Sequence, residues 1–289
     1  MWSSAGFVLG FVLRACAGLV SLPAAAADAT EPAARPCTGL TPGPARTIVR
    51  VIDGETVELD DGTGARLIGA LAPRALDVGA EPGTWPWEAK TREDLEALAV
   101  GKSVELWFDG ERLDRYGRLQ AQVYLIESDQ RRWLQGRLLA QGLARAYTVA
   151  GNRACAQELF AAEQAAREKR RGLWADAAYQ VRPADTPTEL LVYRTTFQIV
   201  EGRIARVAFV RGVIHLNFDR NWRQAFSASL RNADRGLLGV FAGDPKALEG
   251  RAVRLHGWID QHRAAPVIDL SAAGSIEVLD QAATRADKR

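Results

Sequence analysis

The pattern of hydrophobic and polar residues predicts a β-hairpin between residues 47 and 74. Apolar side chains recur there as they do in a half-buried strand, at Ile48, Val49, Val51, Ile52, Val57 and Leu59. The acidic and glycine residues of 60–64 follow and have the composition of a tight turn. The sequence therefore predicts a strand pair with charged groups at its rim.

Charged residues lie where these predicted strands end. Asp53 and Glu55 flank Gly54 at the break of the first strand, and Arg66 follows the turn. A second loop, LDRYGR at residues 113–118, places Arg118 at the start of another predicted strand. A guanidinium there donates two parallel hydrogen bonds to a phosphate, and the adjacent tyrosine stacks on a base or sugar. Taken alone, these features are better explained as turns with surface arginines and a half-buried tyrosine.

The periodicity of the following residues predicts the rest of a first domain, residues 46–178. It indicates helices over about 87–99, 132–141 and 152–171, and strands over 103–108 and 119–126. Three strands, a helix, two strands and two helices, in that order, are typical of an OB-type barrel covered by helices. The predicted fold class is therefore mainly β with α elements.

The C-terminal part predicts a second, OB-like β domain over residues 194–281, after a linker at 179–193 that contains Pro183 and Pro187. Its predicted elements are strands at 196–210, 213–218, 225–230, 252–259, 267–270 and 276–279, with a helix near 233–241. Aromatic and basic residues interleave in HLNFDRNWRQAF, at 215–226. This pattern suits single-strand binding, but barrel core at Phe218 and Phe226 explains it better. A disordered tail is predicted for residues 282–289.

The N-terminal residues have the pattern of a signal peptide over residues 1–27. An apolar run precedes Pro23, and the small residues Ala25 and Ala27 fit a signal-peptidase site before Asp28. The predicted location is therefore the periplasm or the medium outside the cell. An uncleaved membrane anchor is the alternative, although Arg14 interrupts the run and about 20 apolar residues are needed to span a bilayer. A lipid anchor at Cys16 is a second, minor alternative.

Composition and charge narrow the class of protein. The chain is 47% hydrophobic and 25% charged, which is the composition of an ordinary globular protein. Removal of the signal peptide takes only Arg14 from 37 basic and 35 acidic residues, so the mature net charge is +1. Because non-specific nucleic-acid affinity needs several phosphates neutralised together, any such binding is expected to be local. The sequence indicates no oligomeric state.

The cysteines predict one disulfide. Of the three, Cys16 leaves with the signal peptide, and Cys37 and Cys155 remain in an oxidising compartment. The bridge would join a Pro-rich leader, residues 28–45, to the helix that contains Cys155.

The hairpin, the DRYGR loop and the helices at residues 46–174 together resemble the staphylococcal nuclease (thermonuclease) family. Its members carry a V-x-D-G-D-T-V strand, here VIDGETV, and an arginine in the next strand. The resemblance implies a Ca²⁺ ligand at Glu55, with help from Asp53, and phosphate-gripping catalytic roles for Arg66 and Arg118. It also implies that Tyr116 forms the wall of the substrate pocket and that Tyr147 lies at its mouth. The ending of the last helix, Leu173 and Trp174, fits the same family.

The chain departs from this family at two acidic positions. Leu71 stands where the family has an aspartate that completes the calcium site, and Arg74 stands where it has the glutamate proposed as general base. Asp77 and Glu81 follow closely and are candidate substitutes. Loss of general-base help alone lowers a rate by about 10²- to 10⁴-fold.

Three functions follow from these observations. The first choice is an exported protein that binds single-stranded DNA or RNA, or another phosphate-bearing ligand, through Arg66 and Arg118 with weak or no nuclease activity. The second is an active, Ca²⁺-dependent endonuclease. The third is an envelope scaffold that uses both barrels for protein contacts.

Overall fold

The computed structural model describes residues 1–2, 37–128, 130–221, 223–272 and 275–280, and those from Cys37 onward belong to one compact unit. Residues 3–27 of the predicted signal peptide with its cleavage site, the Cys16 lipid anchor, the first half of the leader and the terminal tail lie outside the described residues. Within the part of the chain that is described, no helix is long and apolar enough to cross a membrane.

The first half of the unit contains eight strands and three helices. In chain order they are β1 (Thr41–Asp53), β2 (Thr56–Leu59), β3 (Gly64–Leu67), β4 (Ala70–Leu71), α1 (Pro86–Ala99), β5 (Ser103–Phe108), β6 (Leu119–Glu127), β7 (Gln130–Trp133), α2 (Leu134–Ala140), β8 (Arg145–Ala146) and α3 (Ala156–Glu168). Short 3₁₀ turns lie at Ala75–Val78, Gly172–Ala175 and Ala177–Tyr179.

Five of these strands close into a barrel. The hydrogen-bonded order is β3-β2-β1-β5-β6, and a parallel pairing of β3 with β6 closes the ring. The long first strand, β1, pairs with two neighbours along its length: residues 48–53 pair with β2, and residues 41–47 pair with β5. The predicted OB-type barrel with three helices is confirmed. The hairpin predicted for residues 47–74 is a three-stranded meander, since the chain also reverses at Asp53-Gly54-Glu55.

Two predicted helices are shorter than the periodicity suggests. Residues 130–133 form β7 because they pair with the end of β6, and α2 starts only at Leu134. The helix predicted for 152–171 spans Ala156–Glu168. Gly172 follows its end and packs against Gly142, where a Cβ atom on Gly172 would lie 2.2 Å from the Gly142 carbonyl oxygen. This backbone contact holds Leu173 and the end of the helix against the barrel.

The second half of the unit is rich in β-strands. Its elements are β9 (Arg182–Pro183), α4 (Pro187–Val192), β10 (Phe197–Arg203), β11 (Arg206–Val210), β12 (Val213–Asn217), β13 (Ser227–Arg231), β14 (Ala252–Trp258), β15 (Asp260–His262), β16 (Ala265–Asp269) and β17 (Ile276–Val278), with 3₁₀ turns at Asn232–Phe241 and Pro245–Leu248. The helix predicted near 233–241 is therefore a 3₁₀ segment.

The strands of the second half pair in the same order as those of the first barrel. One bent strand, formed by β10 and β11, pairs with β14 through its first part and with β12 through its second part. β13 pairs with β16 in parallel, and β15, which continues from β14, pairs with β16. The 3₁₀ segments occupy the position that α1 has in the first barrel. This strand order is that of an OB-like barrel.

The residues predicted as a linker are folded. β9 pairs with β10 in parallel, and α4 buries Leu190 in the second core. The aromatic residues of 215–226 also belong largely to that core, since Phe226 is fully buried and the Phe218 ring lies 5.0 Å from it. Trp222, in the same stretch, lies outside the described residues. Each barrel thus has its own apolar core, and a third cluster joins Ile68, Leu71 and Tyr147 to Phe197 of the second barrel.

Candidate functional site

A groove of about 600 Å³ lies at the rim of the first barrel. It collects residues from the β1–β2 turn, from β3, from the segment after β4, from α1 and from the DRYGR loop. The residues that line it are Ile52, Asp53, Gly54, Glu55, Arg66, Ala72, Pro73, Arg74, Gly83, Glu88, Ala89, Arg92, Arg115, Tyr116, Arg118 and Trp258. Five arginines and three carboxylates are among them, so the groove carries a net charge of +2.

The β1–β2 turn places Glu55 at the inner wall of the groove. Asp53 Oδ1 accepts a hydrogen bond from the Glu55 amide over 2.8 Å, which tightens the turn. Gly54 is required because a Cβ atom there would lie 2.8 Å from Ala72 Cβ and 3.0 Å from Thr91 Cγ2. The Glu55 side chain is consequently directed inward and is buried.

The Glu55 carboxylate is held by two arginines and one amide. Arg74 Nη2 donates to its Oε1 over 2.5 Å, and Arg66 Nη2 lies 3.1 Å from the same oxygen. The Ala72 amide donates to Oε2 over 3.1 Å. Burial by itself would lower the pKa of Arg74, but the Glu55 carboxylate outweighs it, so the pKa is raised above its usual value. Arg74 is therefore charged at neutral pH.

Arg74 is held in place by the turn that follows it. The Arg74 amide donates to Asp77 Oδ2 over 3.1 Å, and Asp77 forms an ion pair with Arg145 of β8. Arg145 is almost fully buried and also donates to the carbonyl of Phe197, which belongs to the second barrel. The segment that brings Arg74 to Glu55 is thus tied to both barrels.

The closing pair of the barrel brings Arg66 and Arg118 together. Arg66 lies on β3 opposite Thr56, and the parallel pairing sets Ala65 beside Leu119, the residue after Arg118. Arg118 Nε donates to Asp114 Oδ2 over 2.7 Å, and Nη1 lies 3.4 Å from Thr56 Oγ1. Burial would raise the pKa of Asp114, but hydrogen bonds from the Arg118 amide, the Arg118 guanidinium and the Tyr116 amide hold it below its usual value. Asp114 therefore orients Arg118.

The two tyrosines occupy different places. Tyr116 is 67% exposed on the groove, and the guanidiniums of Arg115 and Arg118 lie 4.8 Å and 5.2 Å from its ring centre. Tyr147, expected at the mouth of the pocket, is buried and does not line the groove. The Arg66 guanidinium lies 5.7 Å from the Tyr147 ring, so Tyr147 supports Arg66 from behind.

The calcium site that the resemblance implies does not fit these residues. Leu71 is buried in the apolar cluster between the barrels, and Arg74 places a cation on Glu55. Asp77, a candidate substitute, is committed to Arg145, and Glu81 is exposed and does not line the groove. Among the described residues, no three His, Cys, Asp or Glu side chains are grouped so as to hold a metal ion.

Sequence reasoning missed Arg92 and Arg115, which line the groove, and also the three residues that follow. Arg145 and Trp258 come from elements far along the chain, and no local pattern marks them. Glu88 is on the first turn of α1, where it accepts a hydrogen bond from the Gly83 amide over 3.1 Å. An acidic residue there is expected from the helix dipole alone, so the sequence offered no functional signal.

The predicted cysteine pair lies on the side of the barrel that carries α3. The structure places Cys37 and Cys155 in a disulfide, with Cα atoms 5.1 Å apart and 118 residues of separation. Cys155 directly precedes α3, so the bridge ties the segment just before β1 to that helix.

Comparison with known proteins agrees with this architecture. The family model described as Staphylococcal nuclease homologue matches residues 65–176. Protein ParB of Escherichia coli is 32% identical over 135 residues, which are 45% of this chain and 71% of that protein. Thermonuclease of Staphylococcus hyicus is 28% identical over 134 residues, covering 45% of this chain and 75% of the relative. An uncharacterized endonuclease of Escherichia coli O157:H7 is 28% identical over 130 residues, with 45% and 76% covered.

The chain belongs to the staphylococcal nuclease family. The fold of the first barrel and the match at residues 65–176 define this class. The second barrel lies beyond the matched residues.

Proposed function

We propose that this protein binds single-stranded nucleic acid through Arg66 and Arg118 and cleaves it weakly or not at all. The observation that carries the proposal is the pairing of Glu55 with Arg74 and Arg66. The one buried carboxylate of the groove is thereby paired with the protein's own arginines.

Calcium would have to compete with these arginines. Ca²⁺ takes six to eight oxygen ligands, and a carboxylate already paired with guanidiniums is a poorer ligand because the metal must displace or repel those cations. Glu55 is pulled toward two guanidiniums, and Asp53 is used in the turn that positions it. A metal-activated water is therefore not supported by these side chains.

A phosphate, in contrast, suits the same groove. The groove's net charge of +2 attracts an anion. Asp114 fixes Arg118 through Nε, so donors on the terminal nitrogens of Arg118 remain for a ligand. Tyr116 adds an exposed ring beside that guanidinium. The groove thus supplies a planar cation and a stacking surface next to each other, which are the two elements of single-strand binding.

The binding is expected to be weak. The whole chain has a formal net charge of only +2, so attraction comes from the groove and not from the protein as a whole. Two arginines that each neutralise one phosphate give a slope of log affinity against log salt of about −1.4 for a single strand.

The test measures binding and cleavage of one short single-stranded oligonucleotide. Binding is titrated without divalent cations at several salt concentrations, and cleavage is followed with added Ca²⁺. Arg118→Ala should weaken binding clearly without changing the fold, with some loss of stability because Asp114 loses a partner. Arg66→Ala should also weaken it, with some loss of stability because Glu55 loses a partner. Arg50→Ala is the matched control, since Arg50 is a surface arginine of β1 outside the groove.

Two results would overturn the proposal. One is binding that neither Arg66→Ala nor Arg118→Ala reduces. The other is rapid Ca²⁺-dependent cleavage by the unmodified protein that is lost with a chelator and with Arg118→Ala. The second result would establish the protein as an active nuclease of its family.

Export is part of the same proposal. The signal-peptide pattern and the pairing of Cys37 with Cys155 support an oxidising compartment. Cell fractionation with mass measurement of the purified chain should find it outside the cytoplasm with a start near Asp28. A full-length chain in the cytoplasm would contradict export, and a lipid on Cys16 would show anchoring instead.

A further inference from the structure

We propose that Trp258, supplied by the second barrel, stacks on a base of the ligand in the groove of the first barrel. This inference rests on the proposed function, because it assigns the groove a nucleic-acid strand with unstacked bases. It makes the second barrel part of the binding site and gives the site a means of recognising bases as well as phosphates.

Trp258 lines the groove and is unusually open for its residue type. The residue is 45% exposed, whereas Trp133 and Trp174 are buried. The other described tryptophans from residue 37 onward are buried or half-buried. It is the last residue of β14, and its neighbour Ile259 is buried in the second core. The exposed part of the indole ring leaves apolar surface in contact with water, which is unfavourable, and a ligand that covers the ring would remove this contact.

Two buried aromatic rings hold the indole in place. The Phe197 ring lies 4.9 Å from it at an interplanar angle of 73°, and the Tyr147 ring lies 6.0 Å from it at 90°. Such perpendicular pairs are favourable arrangements of aromatic side chains. The exposed part of Trp258 is thus presented by rings that cannot move freely, and little ordering is required when a base binds.

The same rings relate Trp258 to the phosphate-binding arginines. Arg66 lies over Tyr147 at 5.7 Å, and Tyr147 contacts Trp258. Arg145 donates to the Phe197 carbonyl over 2.6 Å and so connects the strand under Trp258 to the first barrel. When Arg66 binds a phosphate of a single-stranded nucleic acid, the adjacent base therefore lies next to Trp258.

The chemistry selects a single strand. Bases in a duplex are stacked on each other, whereas those of a single strand offer their faces to aromatic side chains. Tyr116 beside Arg118 and Trp258 beyond Arg66 place one aromatic ring near each arginine. Stacking of this kind tolerates any base, so the expected ligand class is single-stranded nucleic acid without strong sequence preference.

The experiment uses two fluorescent tracers of equal length, a single-stranded oligothymidylate and the same sugar-phosphate chain with abasic sites. Trp258→Ala should weaken binding of the oligothymidylate by about 5- to 150-fold and leave binding of the abasic chain unchanged. Trp258→Phe should restore most of the affinity. Phe209→Ala is the matched control, because Phe209 is also an exposed aromatic residue of the second barrel but lies outside the groove.

The outcomes separate the two proposals. If the unmodified protein binds both tracers and Trp258→Ala changes neither, or weakens both equally, the stacking role is wrong and phosphate binding stands. If the unmodified protein binds neither tracer, the proposed function fails and the role of Trp258 fails with it. Thermal melts of all variants show whether a loss of binding reflects a loss of folding.

Discussion

The Arg145 guanidinium and the Asp77 carboxylate form a buried ion pair with a nitrogen–oxygen distance of 2.5 Å. Asp77 also accepts the amide of Arg74, and Arg145 reaches the carbonyl of Phe197. One salt bridge therefore fixes the segment that carries the Glu55 partner and links it to the second barrel.

Removal of this ion pair should destabilise the protein strongly. Arg145→Met leaves Asp77 buried without its cation, which typically costs about 3–5 kcal/mol of unfolding free energy. Urea denaturation followed by circular dichroism gives the value. Arg50→Met, which breaks an exposed pair with Glu58, is the control and should cost at most about 1 kcal/mol. Equal losses in both variants would show that the buried pair has no special role.

Restoring the acidic positions of the family should raise cleavage from a low level. The unmodified protein should show little Ca²⁺-dependent cleavage, because the Glu55 carboxylate is already paired with the Arg74 guanidinium. The triple variant Glu55→Asp, Leu71→Asp, Arg74→Glu should cleave single-stranded DNA measurably faster in a Ca²⁺-dependent assay. The gain is expected to be incomplete, since position 71 lies in an apolar cluster and a displacement of 1 Å costs about 10²-fold.

The control for this prediction is Arg118→Ala in the triple variant, which should abolish the gained cleavage. A triple variant that folds, shown by an unchanged circular dichroism spectrum, and yet gains nothing would count against the placement of Glu55, Leu71 and Arg74 around one site.

Asp114 should make stability depend on pH in the acidic range. Its pKa is lowered in the folded protein because the hydrogen bonds from residues 116 and 118 outweigh burial. A carboxyl group with a depressed folded pKa stabilises the fold above its unfolded pKa of about 3.9, and this contribution is lost as pH falls through the folded value. Asp114→Asn should therefore be less stable at neutral pH, and the difference should vanish in strong acid.

Denaturation curves of Asp114→Asn at several pH values provide the measurement. Asp94→Asn, which breaks an exposed pair with Lys90, should show a much smaller difference at neutral pH. A constant deficit of Asp114→Asn down to the lowest pH would mean that the ionised carboxylate is not the source of the stabilisation.

Tyr147 should make the stability of the protein depend on pH in the alkaline range. Burial raises its pKa to about 12 from an ordinary value near 10. The contribution of the neutral phenol is thus complete below pH 10 and is lost as pH rises toward 12. The hydroxyl has no hydrogen-bond partner among the described residues, so Tyr147→Phe should change the unfolding free energy at neutral pH by less than about 1 kcal/mol.

Tyr147→Phe should also lose less stability than the unmodified protein between neutral and alkaline pH. Unfolding curves across that range, with the tyrosinate absorbance followed in parallel, measure both effects. A cost of several kcal/mol at neutral pH would show that the hydroxyl is bonded, for instance to water in the adjoining cavity of about 140 Å³.

The disulfide should contribute strongly to stability. Cys37 and Cys155 are separated by 118 residues, and closing a loop of that order stabilises the fold by about 2–5 kcal/mol. Reductant should therefore lower the denaturation midpoint of the natural protein and leave that of Cys37→Ser, Cys155→Ser unchanged. Peptide mapping without reductant should find the two cysteines in one linked peptide. Two free thiols in the purified protein would contradict the pairing.

The barrel and the positions of Arg66 and Arg118 were predictable from the sequence. Alternation of apolar residues and the turn residues around Gly54 and Gly62 are local signals, so they determine where each strand starts and stops. Arg66 and Arg118 lie at strand ends that an OB-type barrel brings together. The extent of helices was less well determined, because the pairing of residues 130–133 with β6 overrides their helical periodicity.

The state of the site was decided only by the tertiary structure. Arg74 lies 19 residues from Glu55, Arg145 lies 68 residues from Asp77, and Trp258 reaches the groove from the other barrel. No periodicity or turn residue records such contacts, since they depend on how separate strands and helices pack after each has formed. Sequence pattern expresses local backbone preference and burial, whereas charge pairing across a groove depends on distances that exist only in the folded protein.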